Sequence, residues 1–245
     1  MVKALVQFIE TSFETAKFKR AIVAMSGGLD SSTSAALAVR ALGAKNVYPL
    51  LLPYRDSSST DDAKLVITNV GIPKSNITQI DIAPFVDPMI ALDPTMDRVR
   101  RGNIMARVRM ILLYDAAKKR NALVVGTENK TEHLLGYFTR FGDEASDIEP
   151  LRNLYKTEVY ALARLLNLPE KILKNEPTAG LWEGQTDEGE FGFTYKEADE
   201  ILAMVVDKKQ SIDEVVRKGY DRATIEKVVK RMKENNFKHH LPLLS

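Results

Sequence analysis

The apolar positions of this 245-residue chain change period several times. Over residues 3–19 they fall at helical spacing, with Leu5, Phe8, Ile9 and Phe13 on one side, which predicts an amphipathic helix. Residues 21–25, "AIVAM", form a short unbroken apolar run, the pattern of a strand covered on both faces. A Ser-Gly-Gly break follows, then a small-residue helix from about Asp30 to Leu42 that Gly43 stops. "NVYPLLLPY" predicts a second strand. "SSSTDDAKLVITNVGI" supplies hydroxyl and acidic caps and then a helix ending at Gly71. "NITQIDI" predicts a third strand, residues 98–120 a long basic helix, and "ALVVGT" a fourth buried strand. Two polar stretches, "GYFTRFGDEASDIEP" and "LWEGQTDEGEFGFTY", read as lids rather than core, with a helix over 156–166 between them. Residues 194–236 read as further helices.

Strands alternating with helices predict an α/β fold: a doubly wound, mostly parallel sheet with helices on both faces and a helical C-terminal extension. One domain is expected over 1–245. Its parts are an N-terminal helix (1–20), an α/β core (21–180), and a lid loop with C-terminal helices (181–245).

Composition narrows the function classes. A net charge of +2 gives no field of one sign to attract nucleic acid or a membrane surface. The longest apolar runs are strand-length, too short to span a bilayer. The first twenty residues lack a secretory core and cleavage site, so a cytoplasmic location is expected. The chain has no cysteine, which removes disulfides, thiolate metal sites and any cysteine nucleophile.

The candidate chemistry sits in "AIVAMSGGLDSSTSAALA". A helix N-terminus presents unpaired N–H groups and the positive end of the helix dipole. Gly27 and Gly28 let backbone approach a phosphate closely, and Ser26, Ser31 and Ser32 add hydroxyl donors. The chain lacks the Gly-Lys-Ser/Thr ending of the P-loop NTPases and the three-glycine dinucleotide fingerprint. Asp30, two residues after Gly28, makes sense beside polyphosphate when a divalent cation lies between them. The alternative is a tight strand-to-helix turn with Asp30 as its N-cap.

The full string Ser-Gly-Gly-Leu-Asp-Ser-Ser resembles the signature of the ATP pyrophosphatases (PP-loop enzymes), which cleave ATP between the α and β phosphates. "GNIMARVRMILLYDAA", "VVGTENKTEHLLGYFTRFGDEASDIEPL", the helix opening at Lys156 and "NEPTAGLWEGQTDEGEFGFTYKEAD" resemble the NAD synthetases in their short, ammonia-dependent form. The resemblance runs from about residue 20 to the C-terminus. It implies an adenine-nucleotide α-hydrolase-like sheet, a C–N ligase activity and a likeness in site residues. ATP is implied at Ser26, Gly27, Gly28, Leu29, Asp30, Ser31, Ser32, Thr127, Lys156 and Thr178. Mg²⁺ is implied on Asp30 and Glu132, with Asp30, Glu132 and Lys156 as the catalytic group. Deamido-NAD is implied at Arg107, Arg140, Asp147 and Lys238, and a homodimer is expected with the basic helix in its interface.

Some positions carry a plainer reading beside that one. Glu132 also reads as an exposed helix acid, and Arg107 with Arg100, Arg101 and Arg109 as a solvated basic face. The family commonly has His-Lys shortly before a Leu/Val-Pro; here Phe237 and Lys238 stand there, followed by His239 and His240. His133 reads as a structural or capping residue, and Trp182 as an apolar anchor for a lid or a core residue. Glutamine-dependent relatives use a cysteine nucleophile to release ammonia, so the nitrogen donor expected here is free ammonia or ammonia from a separate subunit. Two other classes stay open: another PP-loop enzyme, tRNA-modifying or GMP synthetase-like, and a non-catalytic nucleotide sensor.

Overall fold

The computed structural model describes residues 1–55, 60–182 and 184–240. Helix α1 (Val2–Ala16) is closed by Lys17 in the left-handed conformation, and it buries Ile9 and Phe13 completely. Burying side chains of that size contributes about 1.5–3 kcal/mol each. Four parallel strands follow along the chain, β1 (Ala21–Ala24), β2 (Val47–Leu51), β3 (Thr78–Gln79) and β4 (Leu123–Val124), in the order β3-β2-β1-β4. Ala21 pairs with Val47 on one side and Leu123 on the other. Val125 extends the edge by a parallel bridge to Ile148.

The period of two in the strands decides which helices cover which face. Ala21, Val23, Val47 and Leu51 point into one core with α1, α2 (Leu29–Leu42), α3 (Asp61–Asn69), α7 (Lys156–Leu165) and α8 (Glu170–Lys174). Ile22, Tyr48 and Leu50 point into another with α4 (Ala83–Ala91) and α5 (Arg98–Arg120). Burial on both faces explains why these strands read as unbroken apolar runs.

The sequence pattern does not predict helix α4: Pro84 and Pro88 disguise it, yet Pro84 lies in the first turn, where no N–H partner is needed. Strands two and three are shorter than the apolar runs that announce them. The hydroxyls Ser57, Ser58 and Ser59, read as caps for α3, lie outside the described residues; Thr60 takes the N-cap position. A third core joins α6 (Lys130–Leu135) to α9 (Asp187–Phe191), α10 (Tyr195–Leu202), α11 (Ile212–Val216) and α12 (Arg222–Asn235). A π-helical turn, Ala203–Asp207, continues α10. Among the described residues no helix is long and apolar enough to cross a membrane.

The chain runs β1, β2, β3 in one direction and returns to β4 on the other side of β1. The crevice between the ends of β1 and β4 is therefore the topological switch point, where open α/β sheets collect ligands.

Candidate active site

The loop after β1 turns through Gly27 at φ 87°. A Cβ there would lie 2.8 Å from the Ala63 nitrogen and 2.9 Å from Asp62 Cβ, so both the turn and the close approach of α3 require glycine. The hydroxyls bond within the loop. Ser26 Oγ accepts from the Gly28 N–H at 3.1 Å and lies 3.0 Å from Ser31 Oγ. Ser31 and Ser32 both donate to the Gly28 carbonyl, at 3.2 and 2.6 Å. Ser32 is fully buried and committed to that bond, whereas Ser26 is exposed at the loop surface. Leu29, the first residue of α2, packs into the core below.

Gly28, not Asp30, is the N-cap of α2. Asp30 sits in the first turn with its carboxylate turned away from its own helix and across the switch point. Its Oδ1 accepts from Asn129 Nδ2 at 3.0 Å and its Oδ2 from Lys156 Nζ at 2.5 Å. Capping does not explain it.

Glu132 arrives from the β4 side. Asn129 caps α6 by accepting the Glu132 N–H at 3.0 Å, and Glu132 Oε2 takes back the Asn129 N–H at 3.5 Å, a capping box that sets the acid at one angle. Its other oxygen, Oε1, accepts from Lys156 Nζ at 3.0 Å. One ammonium thus touches both acids, and their oxygens can be no farther apart than those two short contacts laid end to end. With 16% side-chain exposure, Glu132 is not the open surface acid of the plainer reading.

Lys156 is the first residue of α7 and is 3% exposed. Its N–H donates to Thr131 Oγ1 at 2.9 Å. Thr131 donates in turn to Asp199 Oδ1 at 2.5 Å, and the Thr157 N–H donates to Asp199 Oδ2 at 2.8 Å. Asp199, on α10, thereby fixes the start of α7 and the direction of the lysine. Asp187, from the second polar stretch, accepts from Tyr195 and Tyr137 hydroxyls at 2.8 and 3.0 Å, and Tyr195 also reaches Glu132 Oε1 at 3.4 Å. The lysine ammonium stands 4.8 Å from the centre of the Tyr195 ring.

Burial disfavours the charge on Lys156, but Asp30 and Glu132 outweigh it and hold the ammonium above its ordinary value. Burial pushes Glu132 up to about 8, with Lys156 opposing and Asp30 adding to the shift. One ammonium faces two carboxylates, so it does not offset the whole cost of burying the Glu132 charge.

A second buried ionic group lies beneath. Glu128, 5% exposed, meets Arg152 at 2.9 Å and His133 Nδ1 at 3.1 Å. Burial pushes Glu128 up to about 8 and Glu149 up to about 7, and pulls His133 down to about 4. Glu149 explains Gly126, where a Cβ would collide with its carboxyl at 2.0 Å. Thr127 follows, half-buried, just past β4. His133 Nδ1 faces Glu128 and, at 2.9 Å, Arg152.

The remaining candidates separate. Arg107 donates to the Arg140 carbonyl at 3.3 and 3.2 Å, and Arg140 donates to the His240 carbonyl at 2.5 Å. Lys238 donates to the Gly136 and Phe138 carbonyls at 2.6 and 3.0 Å. These three gather around residues 136–141, onto which the tail folds; His239 is likewise bonded to the His133 carbonyl rather than facing a metal. Residues 241–245, with the Leu-Pro of the family pattern, lie outside the described residues. Asp147 is held at the sheet edge by the Val124 N–H at 2.7 Å and opens onto a groove of about 820 Å³ against Phe8, Thr11 and Thr15 of α1. Thr178 is turned into its own loop, donating to the Gln185 carbonyl at 2.7 Å.

The basic run on α5 is not one solvated face. Arg100 pairs with Asp93, Arg101 bonds the Met96 carbonyl and Arg109 the Leu52 carbonyl. Trp182 is no core residue: it is partly exposed, with the Arg98 guanidinium 5.0 Å from its ring centre, beside a cavity of about 440 Å³.

The NAD synthase family model matches residues 1–242. The chain belongs to the NAD synthase family. An NH₃-dependent NAD⁺ synthetase of Pyrococcus furiosus is 45% identical over 245 residues, covering 99% of this chain and 93% of that one. An NMN synthetase from Francisella tularensis has the same fold with a TM-score of 0.85 at 34% identity, covering 100% of this chain and 96% of that one. An NH₃-dependent NAD synthetase from Campylobacter jejuni gives 0.83 at 32% identity, with coverage of 100% and 97%.

Sequence reasoning does not single out Asn129, Thr131, Asp187, Tyr195 or Asp199. For Asn129 a signal exists: Asn-Lys-Thr-Glu has the spacing of a capping box, which the sequence alone displays.

Proposed function

We propose that this chain is an ammonia-dependent NAD synthetase that amidates deamido-NAD with ATP and Mg²⁺, releasing AMP and pyrophosphate. A carboxylate resists ammonia until one of its oxygens becomes a good leaving group. In this reading the deamido-NAD carboxylate attacks the α-phosphorus of ATP, the α–β bridging bond breaks, and pyrophosphate leaves. The ammonia nitrogen then attacks the acyl carbon, AMP departs with that oxygen, and a proton is released. Both steps need positioning and charge neutralisation rather than a protein nucleophile.

The observation that carries the reading is the Asp30–Lys156–Glu132 group at the switch point, beside the glycine turn. Two acids beside an anion-binding loop are explained by a cation between acids and phosphates. Mg²⁺ takes one or two protein carboxylates and completes its shell with water and phosphate oxygens. The pair fits that requirement, and a cage of three His, Cys, Asp or Glu side chains, absent among the described residues, is not needed. Bound there, Mg²⁺ would neutralise phosphate charge during adenylyl transfer. Lys156 stands ready to exchange the carboxylates for a phosphate. Gly27, Gly28, Leu29 and Ser31 frame the ATP phosphates with Ser26, while Thr127 and Thr178 flank the nucleotide. Arg107, Arg140, Lys238 and Asp147 are the candidates for the dinucleotide. A homodimer fits the exposed apolar side chains Val99 and Ile111 on α5, and a monomer by light scattering would exclude it.

The test is incubation with ATP, Mg²⁺, ammonium and deamido-NAD. NAD, AMP and pyrophosphate should form in equal amounts. ADP and phosphate instead would refute adenylyl transfer, and ATP binding without turnover would indicate a sensor. The fold shared with the Francisella enzyme calls for a parallel reaction with nicotinate mononucleotide. Faster turnover of that acid than of deamido-NAD would overturn the substrate assignment.

A further inference from the structure

The geometry points to Asn129 as a positioning residue that presents one chosen oxygen of Asp30 to the cation. It rests on the reading of Asp30 and Glu132 as the cation pair.

Asn129 is fully buried, and both ends of its amide are used. The backbone N–H of Glu132 can only donate, so the amide atom facing it at 3.0 Å is the oxygen. The NH₂ must then face Asp30 Oδ1, at 3.0 Å, across 99 residues of sequence. The orientation of the amide is fixed by its partners. One side chain therefore spans the switch point, setting Glu132 through the helix cap and Asp30 through a direct bond.

The consequence falls on Asp30. With Oδ1 held, Oδ2 is the oxygen turned to Lys156 Nζ, the place a cation would take. Without the bond the carboxylate can rotate about its Cβ–Cγ axis, and each binding event must order it again. An uncharged donor suits this task, because a lysine or arginine here would also repel the cation. Residues that orient metal ligands commonly change metal affinity 10–100-fold when replaced.

The test uses Mn²⁺ as the probe, titrated calorimetrically into the full chain with an α,β-methylene ATP analogue. Asn129→Ser keeps a good helix cap and loses the bond to Asp30. Its melting temperature should stay within a few degrees of the parent, and its Mn²⁺ dissociation constant should rise about tenfold or more. Asn129→Thr gives the same measurement if the serine variant fails to fold. Asp30→Asn, run in parallel, should weaken Mn²⁺ binding to the affinity of the nucleotide analogue without protein. Unchanged Mn²⁺ affinity in Asn129→Ser, with that weakening in Asp30→Asn, overturns the positioning role alone. Unchanged affinity in both overturns the cation pair itself.

Discussion

Replacing Lys156 by Met removes the ammonium and keeps most of the side chain's length and volume. The lysine is 3% exposed, with carboxylate contacts at 2.5 and 3.0 Å. Removing one member of such a buried group costs about 3–5 kcal/mol, because the charge left behind is uncompensated. Glu132, already pushed up to about 8, can answer by keeping a proton, which favours the lower end of that range near pH 7. At about 2–4 °C per kcal/mol for a chain of this size, the loss is about 6–12 °C in melting temperature. At pH 5 Glu132, pushed up to about 8, holds its proton more fully and the loss should shrink.

The decisive arm is Mg²⁺. A cation at a hundred times its dissociation constant adds about 2.7 kcal/mol. In Lys156→Met it meets two vacant acids, whereas in the parent it must first displace the lysine. Thermal melts at constant ionic strength, with and without millimolar Mg²⁺, should show a larger Mg²⁺-induced rise in the variant. The variant should also make no NAD. A variant as stable as the parent without Mg²⁺ would refute the ion-pair energetics, and equal Mg²⁺ shifts would refute a site shared by the two acids.

Two further outcomes follow from local geometry. Gly27→Ala places a Cβ in a left-handed turn and against the start of α3; it should cost about 1–3 kcal/mol from backbone strain and raise the KM for ATP at least tenfold, and unchanged ATP kinetics would show that the turn does not hold the phosphates. Glu128 ordinarily titrates near 4.5 and is pushed up to about 8 by burial, so its contribution to stability is present below pH 4.5 and fades as pH rises towards 8. Glu128→Gln, which never ionises, should therefore match the parent near pH 5 and gain on it steadily up to pH 8 in paired melts; a difference that narrows with pH would have the wrong sign.

The fold is legible where the chain obeys one pattern at a time. The unbroken run at residues 21–25 is a strand because both faces are covered, and Gly43 and Lys17 end helices by taking positive φ. Helix α4 is not legible, since two prolines in nine residues read as a loop. The short ladder of β3, paired with Leu50 and Leu51, reads as longer than it is because its apolar residues continue past the sheet into α4 packing.

The site is legible in its acids and lysine but not in what aims them. Asp30 and Lys156 meet across 126 residues, Asn129 and Asp30 across 99, and Thr131 and Asp199 across 68. No local spacing encodes such pairs. The topology does, by returning the chain from β3 to β4 beside β1. That same return sets Glu132 and Asp30 beside the glycine turn. Asp187 adds a third buried acid within the field of Lys156, and that excess of negative charge would be intolerable beside ATP alone. In the proposed reading a divalent ion comes with the phosphates, and in the free protein Lys156 supplies positive charge against Asp30 and Glu132. In that reading the acids, the lysine and the glycine turn act together, and a substitution that removes one of them should affect the free and the loaded protein unequally.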